Sequence, residues 1–479
     1  MKNYYNLFKA YDIRGTYPEI DSKVYYWAGY GLVEKILKPE SLPLTVNICH
    51  DCRYTSPEFY KAFYNGVKNA GGEPVALGLA STDFMYASSI LTNTPGAVIT
   101  ASHNPKDDNG VKIVKKAPQM LGLKDGLDKV REFVLSVIET EDMNEQKWID
   151  PIEDTNLRSK VLDFFVGKYK ELGETEHIDS VLTRQNKKLK ICVDAGNGMG
   201  GFVMQNLKSI YKNVEFIPLY WQPDGNYPNH PADPQNLDNL KDLQASIREN
   251  QADFGVAFDG DADRAFFVDE NTKPIQGDYL VALFAKYMLN NYTADTALNK
   301  AVVYCQPGSR CAPEIIAENE GVAIPSKQGH TYIKSEMQKY KAIYGGEFSG
   351  HHYFGDFGYM DAGYLAMALF IKIVVNSGKT TSQAFEKIEQ TYHISELMNL
   401  KISEGDSFDV WKTKLKTAFA DASISELDGI SVFYPDWKFS MRASNTEPLV
   451  RFILETKIEN KVAEKVSLVK SVVDIKSLS

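Results

Sequence analysis

Long apolar runs and cysteines are both scarce in this chain of 479 residues, and each shortage excludes a class of protein. The longest apolar run, residues 364–371, is far shorter than the roughly 20 residues that a membrane span needs, so it predicts a buried helix. The five cysteines are odd in number and scattered, unlike a disulfide framework. The first residues lead into no apolar segment of the kind found in signal peptides. We therefore predict a cytoplasmic protein with no membrane partner.

Positive charge is also in the minority, with 53 Lys and Arg against 63 Asp and Glu and a formal net charge of −10. This acidic excess argues against a nucleic-acid partner, because non-specific binding to phosphates needs clustered basic residues. Small anionic substrates stay possible, since a few basic side chains in one cleft can reverse the local potential. The apolar fraction of 43% supplies enough material for several buried cores, and the length suggests about three or four domains.

Short apolar runs alternate with longer helical patterns along the chain, which is typical of α/β architecture. Polar loops follow several of these runs directly, at the strand ends where α/β proteins place their chemistry. Polar stretches near residues 140–157, 265–275 and 376–382 are plausible domain boundaries. The runs that we predict as strands include residues 44–48, 97–100, 189–193, 254–258, 301–304 and 342–344.

Three aspartates occupy alternate positions between two apolar runs. At this spacing Asp259, Asp261 and Asp263 project to one side of an extended loop and supply the hard oxygen ligands that Mg²⁺ or Ca²⁺ requires. An EF-hand is a poor match, because Arg264 takes the place of its turn glycine and the flanking runs resemble strands. The pattern favours a metal site over a solvated acidic turn.

Three further polar loops carry groups suited to phosphoryl and sugar chemistry. Ser102 and His103 close one strand, as a nucleophilic or phosphorylated serine beside a proton carrier or as an ordinary serine turn. The loop at 346–351 combines a carboxylate, a hydroxyl and an imidazole, which suits sugar hydroxyls, although a generic polar loop is the alternative. The loop at 442–446 combines a guanidinium, two hydroxyls and an amide, which suits a phosphate.

Together these loops resemble the α-D-phosphohexomutase superfamily, and specifically its bacterial phosphomannomutase/phosphoglucomutase branch. In family order, residues 8–15 are similar to the N-terminal motif, 100–105 to the phosphoserine loop, 259–264 to the metal loop, 346–351 to the sugar loop and 442–448 to the phosphate loop. Two segments depart from the family pattern. Cys49 and His50 replace the glycine and the first arginine of a Gly-Arg-Asp-x-Arg motif, of which Asp51 and Arg53 are kept, and Phe348 replaces a common methionine.

The resemblance implies an α/β fold of three related mixed-sheet α/β domains plus a smaller C-terminal α+β domain, in a heart shape around a central cleft. We expect the domains to span residues 1–150, 151–265, 266–376 and 377–479. In that order they would carry the phosphoserine, metal-binding, sugar-recognition and phosphate-binding loops.

The resemblance also implies the site residues. Ser102 would carry a phosphoryl group, and Mg²⁺ would be held by Asp259, Asp261, Asp263 and phosphorylated Ser102. The other catalytic residues would be His103, Lys112, Arg264 and His351, with Lys112 and His351 as the general acid and base in an order left open. The substrate-binding residues would be Tyr11, Arg14, Lys327, His330, Glu347, Ser349, Arg442, Ser444, Asn445, Thr446 and Arg451.

The activity implied is a phosphomannomutase, which interconverts mannose 6-phosphate and mannose 1-phosphate for GDP-mannose synthesis, with hexose 1,6-bisphosphate as activator. Such an enzyme has sugar phosphates as its partners and is a monomer or homodimer. A phosphoglucomutase or a dual-specificity phosphohexomutase is the nearest alternative, because glucose and mannose differ only at C2. A serine-dependent metal phosphatase and a non-enzymatic metal-binding protein fit the aspartates and the serine less completely.

Overall fold

The computed structural model describes residues 3–143, 147–293, 297–402, 406–443 and 449–473. The chain divides into two compact units, one made of Met1–Ile275 with Ser349–Thr381 and the other of Gln276–Phe348 with Ser382–Ser479. Within the described ranges, no helix combines the length and the apolar composition needed to cross a membrane. The division into four domains stays a prediction.

The first sheet of unit 1 is mixed. Its order is β1-β5-β4-β2-β3 with β6 on β5, where β2 runs parallel to β3 and β4 while β5 runs antiparallel to β1 and β4. Helices bury its apolar strands, as α/β layering requires. The elements are β1 (Ile13–Thr16), α1 (Ser22–Leu32), β2 (Thr45–His50), α2 (Ser56–Asn69), β3 (Glu73–Leu79), α3 (Thr82–Thr92), β4 (Gly96–Ile99), β5 (Asp108–Lys116), β6 (Gln119–Met120) and α4 (Leu127–Val137).

The second sheet of unit 1 has the order β10-β9-β7-β8. Strand β7 runs parallel to β8 and β9, and β9 turns back into β10 through an antiparallel pair that begins with Phe258 opposite Ala265. The loop between these two residues carries the three aspartates. The elements are α5 (Thr155–Gly173), α6 (Thr175–Arg184), β7 (Leu189–Asp194), α7 (Gly200–Leu207), β8 (Val214–Leu219), α8 (Lys241–Asn250), β9 (Phe254–Phe258) and β10 (Ala265–Asp269).

Unit 2 begins with a parallel sheet in which β11 lies between β12 and β13. Helix α10 follows β11 and helix α11 follows β12, as the crossover connections of parallel strands require. The elements are α9 (Gly277–Asn290), β11 (Asn299–Cys305), α10 (Cys311–Glu318), β12 (Val322–Ser326), α11 (His330–Tyr340) and β13 (Ala342–Gly346).

The chain then returns to unit 1 with the hairpin β14 (His352–Phe354) and β15 (Met360–Asp361) and the helix α12 (Gly363–Ser377). Every residue of α12 from Gly363 to Val375 is buried, and the helix packs against α5 and α6. The burial of residues 364–371 in a helix is therefore confirmed, and the same run is too short to span a bilayer.

The C-terminal part of unit 2 is an antiparallel sheet in the order β16-β21-β20-β19-β18, with β17 on β21. Its core is aromatic, with Trp411, Phe439 and Phe452 fully buried. The elements are α13 (Thr381–Thr391), β16 (His393–Ile394), β17 (Met398–Lys401), α14 (Phe408–Ala418), β18 (Ser423–Ser425), β19 (Ile430–Phe433), β20 (Trp437–Ala443), β21 (Leu449–Thr456) and α15 (Val462–Val472).

All six strands expected from the apolar runs exist, as β2, β4, β7, β9, β11 and β13, with ends within two residues of the predicted ones. Three of them end directly before a predicted functional loop: β4 before Ser102, β9 before Asp259 and β13 before Glu347. The α/β architecture with mixed sheets is confirmed.

Candidate active site

Ser102 lies in a strained loop of unit 1 just after β4. Its φ is +53°, the left-handed region that few non-glycine residues adopt, and its side chain is almost fully buried. The backbone N–H donates to Thr100 Oγ1 at 3.0 Å, and Ser102 Oγ donates to Asp259 Oδ2 at 2.8 Å. Strain concentrated at a reactive side chain is typical of functional loops. The loop thus aims the serine hydroxyl at the first aspartate.

The three aspartates form a compact buried cluster. One carboxylate oxygen from each of Asp259, Asp261 and Asp263 lies within 4.8 Å of the others. Among the described residues no hydrogen-bond donor reaches Asp261 Oδ1 or Asp263 Oδ1, although both atoms are buried. Buried carboxylate oxygens without donors are costly unless a cation neutralises them. These residues therefore fit a hard divalent cation such as Mg²⁺.

The electrostatics of the cluster depend on Lys112, which β5 holds opposite Val98 of β4. Its Nζ donates to Asp261 Oδ2 at 2.7 Å and to Asp263 Oδ2 at 2.5 Å. Burial lowers the pKa of Lys112, but the two carboxylates outweigh burial and raise it overall, so the group is an ammonium. Burial alone would raise the pKa of Asp261, and the charge of Lys112 reverses this and lowers it.

Asp259 behaves differently from Asp261. Burial and the neighbouring charges of Asp263 and Asp261 raise its pKa well above the usual range. Its Oδ1 accepts the backbone N–H of Arg264 at 3.2 Å, and its Oδ2 lies 3.5 Å from Arg264 Nε. A carboxylate of this kind gains most from an added cation, since each new positive charge relieves the repulsion within the cluster.

A second group joins the cluster from the segment 349–361 of unit 1. Arg264 Nε donates to His351 Nε2 at 3.1 Å, and the two residues also form a backbone bridge. His351 Nε2 lies 3.6 Å from Asp263 Oδ1 and 3.9 Å from Asp361 Oδ2. On the other side, His351 Nδ1 lies 3.4 Å from Ser349 Oγ. The predicted residues Arg264, Ser349 and His351 thus meet the aspartates at one site.

Two further predicted residues border the Ser102 loop. Arg14 lies on β1 opposite Gly110 of β5, and it donates to Asn104 Oδ1 at 2.9 Å and to Asp12 Oδ2 at 2.6 Å. His103 Nδ1 lies 3.4 Å from Ser102 Oγ. Burial and the charges of Arg264 and Arg14 hold the pKa of His103 well below its usual range, so the ring is neutral. Tyr11 lies in the turn just before β1, half-buried.

The predicted sugar-binding residues of unit 2 form a separate group. Glu347 is buried, and its Oε1 accepts the backbone N–H of Gly329 at 2.7 Å. Lys327 Nζ lies 5.6 Å from the ring centroid of Tyr332, and His330 is the first residue of α11. Glu347 therefore ties the end of β13 to the loop that carries Lys327 and His330.

The predicted phosphate-binding residues that the structure describes face each other on the last hairpin. Arg442 of β20 pairs with Arg451 of β21, and Arg442 Nε lies 3.9 Å from Asp428 Oδ2. Two guanidinium groups at opposed positions concentrate positive charge, as an anion site requires. Ser444, Asn445 and Thr446 lie outside the described residues.

Reasoning from the sequence missed three residues that contact this site. Thr82 donates its hydroxyl to Asp261 Oδ2 at 2.5 Å, and Asp361 lies beside His351. Arg53 donates to the carbonyl of Ser102 at 2.7 Å. The retained Asp-x-Arg motif at Asp51 and Arg53 was the only signal for these contacts, since Thr82 and Asp361 have no local pattern.

Comparison with known proteins identifies the family. Models of the phosphoglucomutase/phosphomannomutase α/β/α domains I, II and III match residues 5–136, 171–273 and 276–392. "Phosphohexose mutases" from Xanthomonas campestris pv. campestris is 31% identical over 94% of this chain and 95% of that protein. A phosphomannomutase from Escherichia coli is likewise 31% identical over 94% and 95%.

A solved structure adds support for the fold. A phosphoglucomutase/phosphomannomutase family protein from Burkholderia thailandensis superposes with a TM-score of 0.81 at 24% identity, covering 100% of this chain and 99% of its own. The resemblance drawn from the five loops is thus confirmed, because the matched regions include four of them and the relatives extend over almost the whole chain. The chain belongs to the phosphoglucomutase/phosphomannomutase family.

Proposed function

We propose that the protein is a phosphomannomutase, which interconverts mannose 6-phosphate and mannose 1-phosphate through a phosphoserine at Ser102 and a hexose 1,6-bisphosphate intermediate. The observation that carries this proposal is the 2.8 Å hydrogen bond from Ser102 Oγ to Asp259 inside a buried aspartate cluster. Phosphoryl transfer needs a positioned oxygen and positive charge around it. Ser102 Oγ is the positioned oxygen, and Lys112, Arg264 and a cation held by the aspartates would supply the charge.

The reaction consists of two phosphoryl transfers in opposite directions, from Ser102 to the sugar and from the sugar back to Ser102. In the first, the bond between phosphorus and Ser102 Oγ breaks and a bond to the free sugar hydroxyl forms. The proton of that hydroxyl passes to the general base of the pair Lys112 and His351, and Ser102 Oγ takes up a proton in turn. His351 is the better candidate for the base, because the neighbouring carboxylates hold Lys112 as an ammonium, which can only donate. The bisphosphate reorients, and its other phosphoryl group moves to Ser102 Oγ by the reverse steps. Arg264, 3.1 Å from His351, is placed to neutralise negative charge that develops near that imidazole.

The site fits Mg²⁺ as its cofactor, with Asp259, Asp261, Asp263 and the phosphorylated Ser102 as ligands. When bound, the ion would supply positive charge that stabilises the negative oxygens of the transferred group. The two carboxylate oxygens without hydrogen-bond donors support this assignment from the protein side. Lys112 Nζ donates to one oxygen of Asp261 and to one of Asp263, and its positive charge reduces the electrostatic repulsion between these carboxylates.

Substrate recognition is proposed for the residues that the loop motifs name. Glu347 and Ser349 would bind sugar hydroxyls, because a carboxylate accepts and a hydroxyl both donates and accepts. Arg442 and Arg451, with Ser444, Asn445 and Thr446, would bind the phosphate that is not reacting. Tyr11, Arg14, Lys327 and His330 would complete the contacts to the sugar phosphate. Hexose 1,6-bisphosphate would restore phosphoserine when the intermediate escapes.

A dual-specificity phosphohexomutase is the second candidate function. The name "Phosphohexose mutases" of the Xanthomonas relative favours it, as does the small chemical difference between the two sugars. We further propose that the protein is cytoplasmic and is a monomer or homodimer. It would serve GDP-mannose synthesis and would have no nucleic-acid or membrane partner.

The deciding experiment compares initial rates on mannose 1-phosphate and glucose 1-phosphate, with Mg²⁺ and a trace of hexose 1,6-bisphosphate. We expect isomerisation of mannose 1-phosphate, and comparable rates on both sugars would establish the dual mutase. Inorganic phosphate is measured in the same reactions. Its release in a ratio near one per substrate would overturn the proposal in favour of a phosphatase. Metal binding without any reaction would favour a metal-binding protein.

A further inference from the structure

We propose that Arg53 is a positioning residue that holds the Ser102 loop in its strained conformation, and that Tyr227 couples this arginine to the metal loop. The inference rests on the proposed function for its catalytic readout, since it assumes that Ser102 carries the phosphoryl group. Its structural part concerns the fold of unit 1 alone.

The side chain of Arg53 is fully buried, and most of its hydrogen bonds go to the loop that carries Ser102. Its Nη2 donates to the carbonyls of Ser102 at 2.7 Å and Asn104 at 2.8 Å. Its Nη1 donates to the carbonyls of Pro105 at 2.6 Å and Asp108 at 2.8 Å. Four carbonyls of a single turn thus converge on one side chain. A buried guanidinium needs acceptors for its N–H groups, and this one directs four of its hydrogen bonds at the loop, so Arg53 holds the loop in the conformation that these bonds require.

The orientation of this guanidinium is fixed from behind by Asp51. Arg53 Nε donates to Asp51 Oδ2 at 3.2 Å, and Asp51 Oδ1 accepts from the backbone N–H of Arg53 at 3.0 Å and from Ser56 Oγ at 2.6 Å. The planar fork can therefore point only towards the loop. A lysine keeps the charge but has no fork, so it cannot reach four carbonyls from the same position.

The opposite side of Arg53 is covered by Tyr227, whose ring centroid lies 5.4 Å from the guanidinium carbon. A Cβ added at Gly260 of the metal loop would lie 3.3 Å from Tyr227 Oη and 2.3 Å from the carbonyl oxygen of Ser102. The metal loop, Tyr227 and the Ser102 loop therefore touch one another around this arginine. The distance from Ser102 Oγ to Asp259 depends on how the three are held.

A merely stabilising arginine is the competing explanation, and Arg158 provides the matched control. Arg158 also donates to backbone carbonyls of unit 1, those of Leu77 and Leu79, and its guanidinium lies over the ring of Phe202. It has no bond to the loop at 102–108 among the contacts described. Arg158→Lys thus removes arginine contacts of the same kind, to backbone carbonyls and an aromatic ring, without touching Ser102.

The test compares Arg53→Lys and Tyr227→Leu with Arg158→Lys and the unaltered protein. We expect Arg53→Lys to lower kcat by about 100-fold with little change in KM, because misplacement by about 1 Å costs that much in rate. Amide hydrogen exchange over residues 102–109 should accelerate in Arg53→Lys while the β7 and β9 amides stay protected. Tyr227→Leu should show the same pattern more weakly. Arg158→Lys should keep both kcat and the exchange of this loop.

Two outcomes would overturn the proposal. One is unchanged exchange at residues 102–109 in Arg53→Lys, and the other is a loss of kcat that appears equally in Arg158→Lys. The exchange measurement needs no substrate. A lack of isomerase activity in the unaltered protein would contradict the proposed function. In that case hydrogen exchange in Arg53→Lys would still show whether Arg53 holds the loop.

Discussion

Ser102 has a strained left-handed backbone conformation, and its hydroxyl donates a hydrogen bond to Asp259. A φ of +53° at a non-glycine residue costs of order 1–3 kcal/mol. The loop keeps this geometry because Arg53 and Thr100 bond to the backbone on either side of the side chain. The backbone strain and the chemistry of the hydroxyl can therefore be separated by substitution.

Ser102→Ala should abolish isomerisation and preserve the fold, at a cost in stability of about 1–3 kcal/mol for the lost hydrogen bond to buried Asp259. Ser102→Gly is the matched control, since it loses the same hydroxyl but adopts positive φ freely. It should be as inactive as Ser102→Ala and more stable than that variant by about 1 kcal/mol. Coupled rate assays and thermal melts measure both effects. Activity of either variant above about a tenth of the original would assign the phosphoryl group to another residue.

How far the sequence predicts individual residues depends on whether their partners are local. The three aspartates were found because their spacing of two residues is itself the chemical pattern. Thr82 and Asp361 were not found, because their contacts to Asp261 and His351 cross from one element to another. Arg53 was noticed only as a kept motif residue, and its four carbonyl partners follow from a loop geometry that no spacing rule encodes.

At the scale of elements, the turn between β9 and β10 presses against the Ser102 loop through Gly260. A Cβ at this position would lie 2.3 Å from the carbonyl oxygen of Ser102, closer than any real contact permits. Strand periodicity predicted β9 and the apolar start of β10 from the sequence, since both are buried runs. The close approach of two loops could not be predicted, because it joins segments more than 150 residues apart.

Gly260→Ala should displace the two loops and destabilise the protein by about 1–3 kcal/mol, the usual cost of overpacking. We expect kcat to fall with it. Gly167→Ala on α5 is the control, because a Cβ there meets nothing within 4 Å and should stabilise the helix by about 0.5–1 kcal/mol. Denaturant unfolding and initial rates are the measurements. A Gly260→Ala protein of unchanged stability and rate would mean that the two loops are not in contact.

The hairpin of β20 and β21 carries the second element-scale prediction. Arg442→Ala should raise KM for either hexose phosphate by about 10- to 100-fold, because a hydrogen bond to a charged group contributes about 1.5–3 kcal/mol. Lys461→Ala removes an exposed cation of the same unit that pairs with Glu464, and it should leave KM unchanged. Steady-state kinetics on both sugars decides the matter. An unchanged KM in Arg442→Ala would move the phosphate contact to another residue.

At the scale of the whole molecule, the two units differ in how their buried charges are balanced. In unit 1 the aspartates are offset by Lys112 and Arg264. In unit 2, burial raises the pKa of Asp278 to about 6 and that of Glu455 to about 7, although Lys438 lies close enough to oppose both shifts. Glu455 Oε2 accepts from Ser309 Oγ and from the backbone N–H of Arg310 at 3.2 Å. Unit 2 therefore buries two acids that keep their protons to a higher pH than exposed carboxyl groups do.

The raised pKa values of Asp278 and Glu455 predict that unit 2 loses stability as the pH rises. Below the pKa of the unfolded chain, about 4.5 for Glu455, folded and unfolded states both hold the proton and the stabilisation is complete. Between that value and about 7 the unfolded state releases its proton while the folded state keeps it, so the stabilisation is lost progressively. Asp278 adds the same trend between its ordinary value and about 6.

Glu455→Gln should reduce this dependence, because glutamine keeps a hydrogen-bonding side chain and cannot ionise. Hydrogen exchange of the β20 and β21 amides at pH 5 and pH 7.5, corrected for intrinsic rates, follows unit 2 specifically. We expect the unaltered protein to lose protection between the two values and Glu455→Gln to lose less. Glu459→Gln, an exposed carboxylate four residues away, should behave like the unaltered protein. Equal losses in all three proteins would show that Glu455 is ionised in the folded state and that its charge is balanced by Lys438.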